Sequence, residues 1–142
     1  MLERFINSQA NIYETALKEI QSGHKRTHGI WFIFPQLKGL GRSPTSMYYG
    51  LDGVEEAREY LNNPILGGRL REITKALLML PDTNPHSIFG SPDDMKLRSC
   101  MTLFNTIEPN SIFRQVIDKF FQGRQDTRTL SILARNNSTK TI

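Results

Sequence analysis

Cysteine is nearly absent from this sequence of 142 residues, which contains Cys100 alone. A single cysteine excludes an intrachain disulfide and any zinc site built on several cysteines. We interpret Cys100 as a small core residue, with a nucleophilic thiol as the alternative.

Long apolar runs are also missing. No stretch approaches the roughly 20 apolar residues that cross a bilayer, and the first residues lead into an amphipathic pattern rather than a secretory signal. With 38% hydrophobic and 23% charged residues, the chain has the composition of an ordinary folded protein. We therefore expect a cytoplasmic protein without membrane contact, built as one helical domain over residues 1–135 with a frayed tail at 136–142.

Signature motifs for metals and nucleotides are lacking as well. The three histidines have no companions at metal-ligand spacing, so no metal site is predicted. Gly39-Leu40-Gly41 lacks the third glycine of a dinucleotide fingerprint, and no Lys-Ser/Thr pair follows it as in a P-loop. The sequence therefore predicts no cofactor.

Acidic residues are fewer than basic ones, 14 against 18, which leaves a net charge of +4. An excess of this sign favours anionic partners through long-range attraction. The basic residues are scattered, and aromatic residues do not interleave with a basic run as in a nucleic-acid platform. A small anionic ligand is thus a better prediction than a polynucleotide.

What the sequence does contain is apolar residues at spacings of three and four, the pattern of helices with one buried face. The predicted helices run over residues 2–20, 54–61, 65–80, 92–104, 112–121 and 127–133. Ser91 is the predicted cap of the fourth of these, and Asp126 that of the last. Residues 30–34 form either a short strand or a helical or irregular turn. The fold class is mostly α, a compact domain of about five or six helices.

The densest group of aromatic and polar residues lies between Gly23 and Gln36. Its candidate functional residues are Lys25, His28, Trp31, Phe34 and Gln36. Aromatic faces could stack on a base or sugar, the Gln36 amide could read polar edges, and basic groups could hold a phosphate. The alternative is a core plug with Trp31 and Phe34 packed inside. His28 is either a general acid or base, since its ordinary pKa lies near neutrality, or a structural histidine.

Five further candidates, chosen for their residue chemistry, lie outside this segment. Gln9 interrupts the apolar stripe of the first helix, as a boundary residue or as an amide that reaches into a pocket. Gly39 and Gly41 mark a loop whose bare backbone could let a ligand approach. Asp93 and Asp94 open a helix, where acids suit the dipole; alternatively, one carboxylate turned into a cleft activates water or stabilises a cation at a sugar carbon.

A set of short segments, spread over the chain, forms one further pattern. The segments are Arg4-Phe5, Gln9, Gly23-His24-Lys25, His28, Trp31 to Gln36, Gly39-Leu40-Gly41, Ser43, Glu56-Ala57, Tyr60-Leu61, Pro64, Leu66-Gly67, Arg69-Leu70, Phe89-Gly90, Asp93-Asp94, Lys96-Leu97, Ser99, Met101 to Phe104, Asp126 and Thr129-Leu130. Together they resemble the uncharacterised bacterial family called domain of unknown function 1810, over nearly the whole chain. Gly29 and Asn63 depart from that family, which usually carries a tryptophan and a histidine there. These departures weaken any mechanism that needs a second histidine near Pro64 or a wall of two tryptophans.

That family is similar, more distantly, to the YbiA-like or NADAR proteins, mostly helical domains linked to cleaving N-glycosidic bonds in nucleotides of ADP-ribose or riboflavin-pathway type. The resemblance implies a hydrolase for such a bond. Lys25 or Arg69 would hold phosphate, the aromatic segment would stack the base or sugar, and Asp94 would assist water. The alternatives are a non-catalytic module that binds a nucleotide-like anion and a regulatory protein-interaction domain with an exposed apolar patch.

Overall fold

Helices with one buried face make up most of the computed structural model, which describes residues 2–26, 30–41 and 43–140, with side chains at 2–26, 32–41 and 43–135. The described part forms one compact domain around a single core. Its ten helical segments are α1 (Glu3–Gln9), α2 (Tyr13–Gln21), α3 (Ile30–Ile33), α4 (Pro44–Tyr48), α5 (Gly53–Asn62), α6 (Pro64–Leu78), α7 (Pro85–Phe89), α8 (Asp93–Ile107), α9 (Ile112–Phe121) and α10 (Thr127–Lys140).

The mostly helical fold is confirmed, but the predicted number of five or six helices is too low. The stretch 2–20 is divided by a turn at residues 10–12, where Asn11 is a poor helix former. The short α4 and α7 are not among the helices predicted from the sequence. Each begins with a proline after a capping side chain, Ser43 for α4 and Asn84 for α7. Such a start can form one helical turn that is too short for apolar periodicity to reveal.

Residues 30–34 are not a strand. The segment contains α3, and the isolated β-bridge found in the described part of the chain is a parallel one between Leu37 and Leu51. There, the Lys38 amide donates to Leu51 O at 2.9 Å, and the Leu51 amide donates to Gln36 O at 2.8 Å. This bridge joins the two ends of the loop of residues 38–50.

The core is organised around α8, which packs on α5, α7, α9 and α10. Its residues Leu97, Cys100, Met101, Leu103 and Phe104 are completely buried. Burial raises the pKa of the Cys100 thiol well above its usual value, so the thiol stays protonated. This position agrees with the interpretation of Cys100 as a core residue.

The start of α8 differs from the prediction. The residue at the cap position is Pro92, not Ser91, and no side chain caps this end by a hydrogen bond. Asp93 and Asp94 lie in the first turn, where negative charge is favourable.

The longest described helices, α6 and α8, have 15 residues each. Within the described residues, no helix combines the length and the apolar character that a membrane span requires.

Candidate functional site

A cleft of about 240 Å³ lies where the segment 36–41 meets the beginnings of α8 and α10. We call it the α8–α10 cleft. It is lined by Gln36, Leu40, Gly41, Pro92, Met95, Lys96, Ser99, Asp126 and Arg128. Three separate parts of the chain thus contribute to one concave surface.

The wall from α8 is one helical face. Pro92, Met95, Lys96 and Ser99 follow one another at spacings of three, one and three residues, which places them on the same side of the helix. Ser99 Oγ donates to Met95 O at 3.2 Å, an interaction within the helix. Lys96 therefore supplies the positive charge of this wall.

Asp126 holds the start of α10 against α8. Its Oδ2 accepts from the Thr129 amide at 2.9 Å and from Thr129 Oγ1 at 2.6 Å, so Asp126 caps α10 as predicted. Its own amide donates to Thr102 Oγ1 on α8 at 2.8 Å. The other carboxylate oxygen, Oδ1, lies 3.8 Å from the Arg98 guanidinium. A fixed carboxylate thus forms part of the wall.

The segment 36–41 is joined to α10 by Arg128, whose guanidinium donates to Leu40 O at 3.2 Å. Gly41 lines the cleft, as does the half-buried Gln36. A Cβ at Gly41 would lie 2.6 Å from Ser46 Oγ, so packing inside the loop requires glycine there.

Behind Lys96, one carboxylate bridges two lysines. Asp93 Oδ2 lies 2.8 Å from Lys25 Nζ, and Asp93 Oδ1 lies 3.2 Å from Lys96 Nζ. Burial alone would raise the pKa of Asp93, but the two ammonium groups outweigh it and hold the pKa below its usual value. Asp93 is therefore ionised at neutral pH and does not act as a proton donor.

The charges in and directly behind the wall are unequal. Four are positive and two are negative: Lys25, Lys96, Arg98 and Arg128 against Asp93 and Asp126. In a partly buried cleft such an excess attracts anions more strongly than it would on an open surface.

Gln9 and Arg69 lie together elsewhere. Gln9 is buried, and its Nε2 donates to Phe32 O and, at 2.9 Å, to Tyr60 Oη, while its Oε1 accepts from Arg69 at 3.3 Å. The Arg69 guanidinium also lies over the Tyr13 ring, 5.3 Å from its centroid. These contacts join α1, α2, α3, α5 and α6, and neither candidate lines the α8–α10 cleft.

The remaining candidates are spread over the fold. Phe34 is buried and packs edge-on against Phe89, as in the plug interpretation. Gly39 has a φ of 103°, a backbone conformation that favours glycine, and this conformation explains why glycine occupies the position. Asp94 lies 3.7 Å from His86 and faces a different cleft. His28 and the side chain of Trp31 lie outside the described residues.

The described part of the chain has another concave surface, in which two of the charged side chains are paired with each other. An indentation of about 440 Å³ is lined by Arg4, Lys38, Met47, Tyr48, Asp52 and Glu56. There, Arg4 and Glu56 are already bound to each other at 2.9 Å. Among the described residues, no group of three His, Cys, Asp or Glu side chains is arranged to hold a metal ion.

Lys96, Ser99, Asp126 and Arg128 were not among the candidates. Lys96 and Ser99 had been named only for the family resemblance, and Asp126 for that resemblance and as a cap. All except Arg128 belong to the segments on which the family resemblance rests, and that signal could have identified them. Their meeting depends on how α10 folds back on α8, which sequence spacing does not contain.

Comparison with known proteins gives a family but no activity. The family model described as "Protein of unknown function (DUF1810)" matches residues 1–133. The chain is also similar to the crystal structure of the conserved hypothetical protein Rv1873 from Mycobacterium tuberculosis. The two are 42% identical, with a TM-score of 0.91, over 94% of this chain and 96% of that one. No curated protein matches the chain.

Proposed function

Because the chain belongs to the DUF1810 family, which is described only as proteins of unknown function, we propose its function from its own cleft: it binds a small, phosphate-bearing, nucleotide-derived ligand in the α8–α10 cleft. The observation that carries the proposal is the excess of positive charge around one cleft. Lys96 and Arg128 lie on two of its walls, and Gln36 adds an amide.

The chemistry of these groups suits a phosphate ester. A guanidinium presents parallel N–H donors that match phosphate oxygens, and an ammonium adds a compact charge. An amide can bind the hydroxyl groups of an attached sugar. At about 240 Å³ the cleft lies slightly below the usual range for drug-sized ligands, which supports a sugar phosphate or part of a nucleotide as its occupant.

Titration with ribose 5-phosphate, followed by calorimetry and by melting temperature, tests the proposal. We expect saturable binding that raises the melting temperature. In Lys96→Met, which keeps the length of the side chain without its charge, the Kd should rise at least ten-fold, because a partly buried charge contact to phosphate is lost.

The matched control is Lys75→Met, since Lys75 is an exposed lysine of α6 away from the cleft. Its Kd should equal that of the wild type. No binding by the wild type, or an equal loss in both variants, would contradict the proposal.

Hydrolysis of an N-glycosidic bond is the second candidate function. It is the function that the resemblance to the YbiA-like proteins implies, and a YbiA-like architecture is part of the same proposal. It is favoured by the fixed carboxylate of Asp126 in the wall of the cleft, not by Asp94, which faces elsewhere. In this reaction the oxygen of water attacks the anomeric carbon, the carbon–nitrogen bond breaks and the base leaves, nicotinamide as a neutral molecule and adenine after it takes up the proton that water releases. Asp126 would stabilise the cationic sugar and take the proton of the water.

Asp126→Asn tests this role, because asparagine is also a good helix cap and preserves the start of α10. Wild-type protein should release free base from the 5′-phosphates of adenosine and of nicotinamide riboside, as measured by chromatography. The variant should lose at least a hundred-fold in rate and still bind ribose 5-phosphate. If the wild type releases no base, hydrolysis is contradicted and only the binding function remains.

A protein-interaction role predicts one broad apolar face. The large apolar side chains that are exposed in the described residues are instead distributed over several elements: Met47, Tyr48, Ile65, Met79, Met95 and Leu130. The structure therefore offers this alternative no specific support.

A further inference from the structure

A second cleft adjoins the α8–α10 cleft on the opposite side of Met95. It has a volume of about 440 Å³, and Met95 lines both clefts. Asp94 lines only the second cleft and Lys96 only the first, so the two lie on either side of the exposed Met95 side chain. The Met95 side chain thus separates the two clefts. Because a helix with its side chains is about 10 Å wide, one extended small molecule can reach from one cleft to the other.

The two clefts differ in charge and in lining. The second is lined by Thr83, Asn84, Pro85, Asp94, Met95, Phe120, Phe121 and Gln122, a set without a lysine or an arginine. The carboxylate of Asp94 would repel a phosphate there. Phosphate is therefore favoured only on the side of Lys96.

The groups of the second cleft suit a planar ring that carries hydrogen-bond donors. Phe120 and Phe121 line this cleft as buried side chains, and an aromatic side chain can contact the face or edge of another ring. Asp94 accepts hydrogen bonds from N–H groups, and the Gln122 amide both donates and accepts them. A nucleobase with an amino group has this combination of properties.

We infer that the second cleft is the base subsite of a nucleotide whose phosphate occupies the α8–α10 cleft, with the sugar passing over Met95. This inference rests on the proposed binding function and fixes the orientation of the ligand. The phosphate binds beside Lys96, and the base lies beside Asp94 and Phe121.

Comparison of ribose 5-phosphate with adenosine 5′-monophosphate by calorimetry tests the inference. In the wild type, the nucleotide should bind at least ten-fold more tightly, because only it occupies both clefts. Thr83→Trp, which places a large side chain in the second cleft from an exposed loop, should weaken the nucleotide to the level of the sugar phosphate. The sugar phosphate itself should be unaffected.

Two further variants complete the experiment. Thr15→Trp, at an exposed position of α2, is the matched control and should behave as the wild type. Asp94→Asn should weaken the nucleotide about five-fold without changing the sugar phosphate, and it tests the subsite without filling it. If both compounds bind equally well to the wild type, the inference is wrong and the proposed function stands. If neither compound binds, both fail.

Discussion

Gly67→Ala is expected to lower the free energy of unfolding by about 3 kcal/mol or more, because the methyl group has no room. A Cβ at Gly67 would lie 1.9 Å from Leu61 O, a main-chain atom at the end of α5. The two helices meet there through Asn63, whose Oδ1 accepts from the amides of Ile65 and Leu66 at the start of α6. To admit alanine, α5 and α6 would have to move apart at their junction.

The neighbouring glycine provides the control. A Cβ at Gly68 would meet no atom within 4 Å, and Gly68 is exposed in the same helix. Gly68→Ala should therefore raise the free energy of unfolding by about 0.5–1 kcal/mol, since alanine loses less backbone entropy in a helix. Chemical denaturation of the two variants measures both values. Equal effects would mean that the helices do not approach as closely as described.

Glu56→Ala should also cost about 3 kcal/mol, since it removes the carboxylate that binds a largely buried guanidinium. Glu56 lies 2.9 Å from Arg4, and the two side chains are only 8% and 14% exposed. The carboxylate also accepts from the Asp52 amide at 2.8 Å. Arg4 in turn donates to Tyr48 O and Gly50 O, so the loss would extend to the loop of residues 38–50.

The same ion pair predicts acid sensitivity. Burial alone would raise the pKa of Glu56, but hydrogen bonds from Arg4 and Asp52 outweigh it and hold the pKa below the ordinary value of 4.5. Because the lower pKa belongs to the folded state, the stabilisation is complete above pH 4.5 and is lost as the pH falls through the folded-state value. Melting temperatures between neutral and acid pH should therefore fall less in Glu56→Ala than in the wild type.

Glu108→Ala is the matched comparison, because it breaks a carboxylate–guanidinium pair that is more open to water. Arg71 and Glu108 lie 2.7 Å apart, with side chains 36% and 38% exposed. Solvent screening should limit the cost to about 1 kcal/mol or less. A cost at Glu108 as large as that at Glu56 would contradict burial as the cause.

The helices could be predicted from the sequence wherever the apolar pattern extends over several turns. The stretches of α5, α6 and α9 follow this rule. The pattern fails where a helix lasts only one turn, as in α4, and where a buried polar side chain replaces an apolar one. Gln9 is such a case, because its amide satisfies Phe32 O and Tyr60 Oη inside the core.

The candidate site was predicted only in part. Gln36 and Gly41 line the α8–α10 cleft, while Lys25 and Asp93 stand directly behind Lys96. Lys25 and Asp93 had been singled out separately, and the sequence gives no sign that they form an ion pair. That contact spans 68 positions of the chain. Only the tertiary packing of the segment before α3 on the first turn of α8 brings these residues together.

The β-bridge between Leu37 and Leu51 bears on how quickly a ligand could bind. It fastens both ends of the loop that supplies Leu40 and Gly41 to the cleft. The conformational entropy of this loop is therefore lost during folding and not when a ligand arrives. We expect association in a single step without a slow rearrangement, at a rate set by diffusion and by attraction to the surrounding cations. That rate should decrease as added salt screens the attraction.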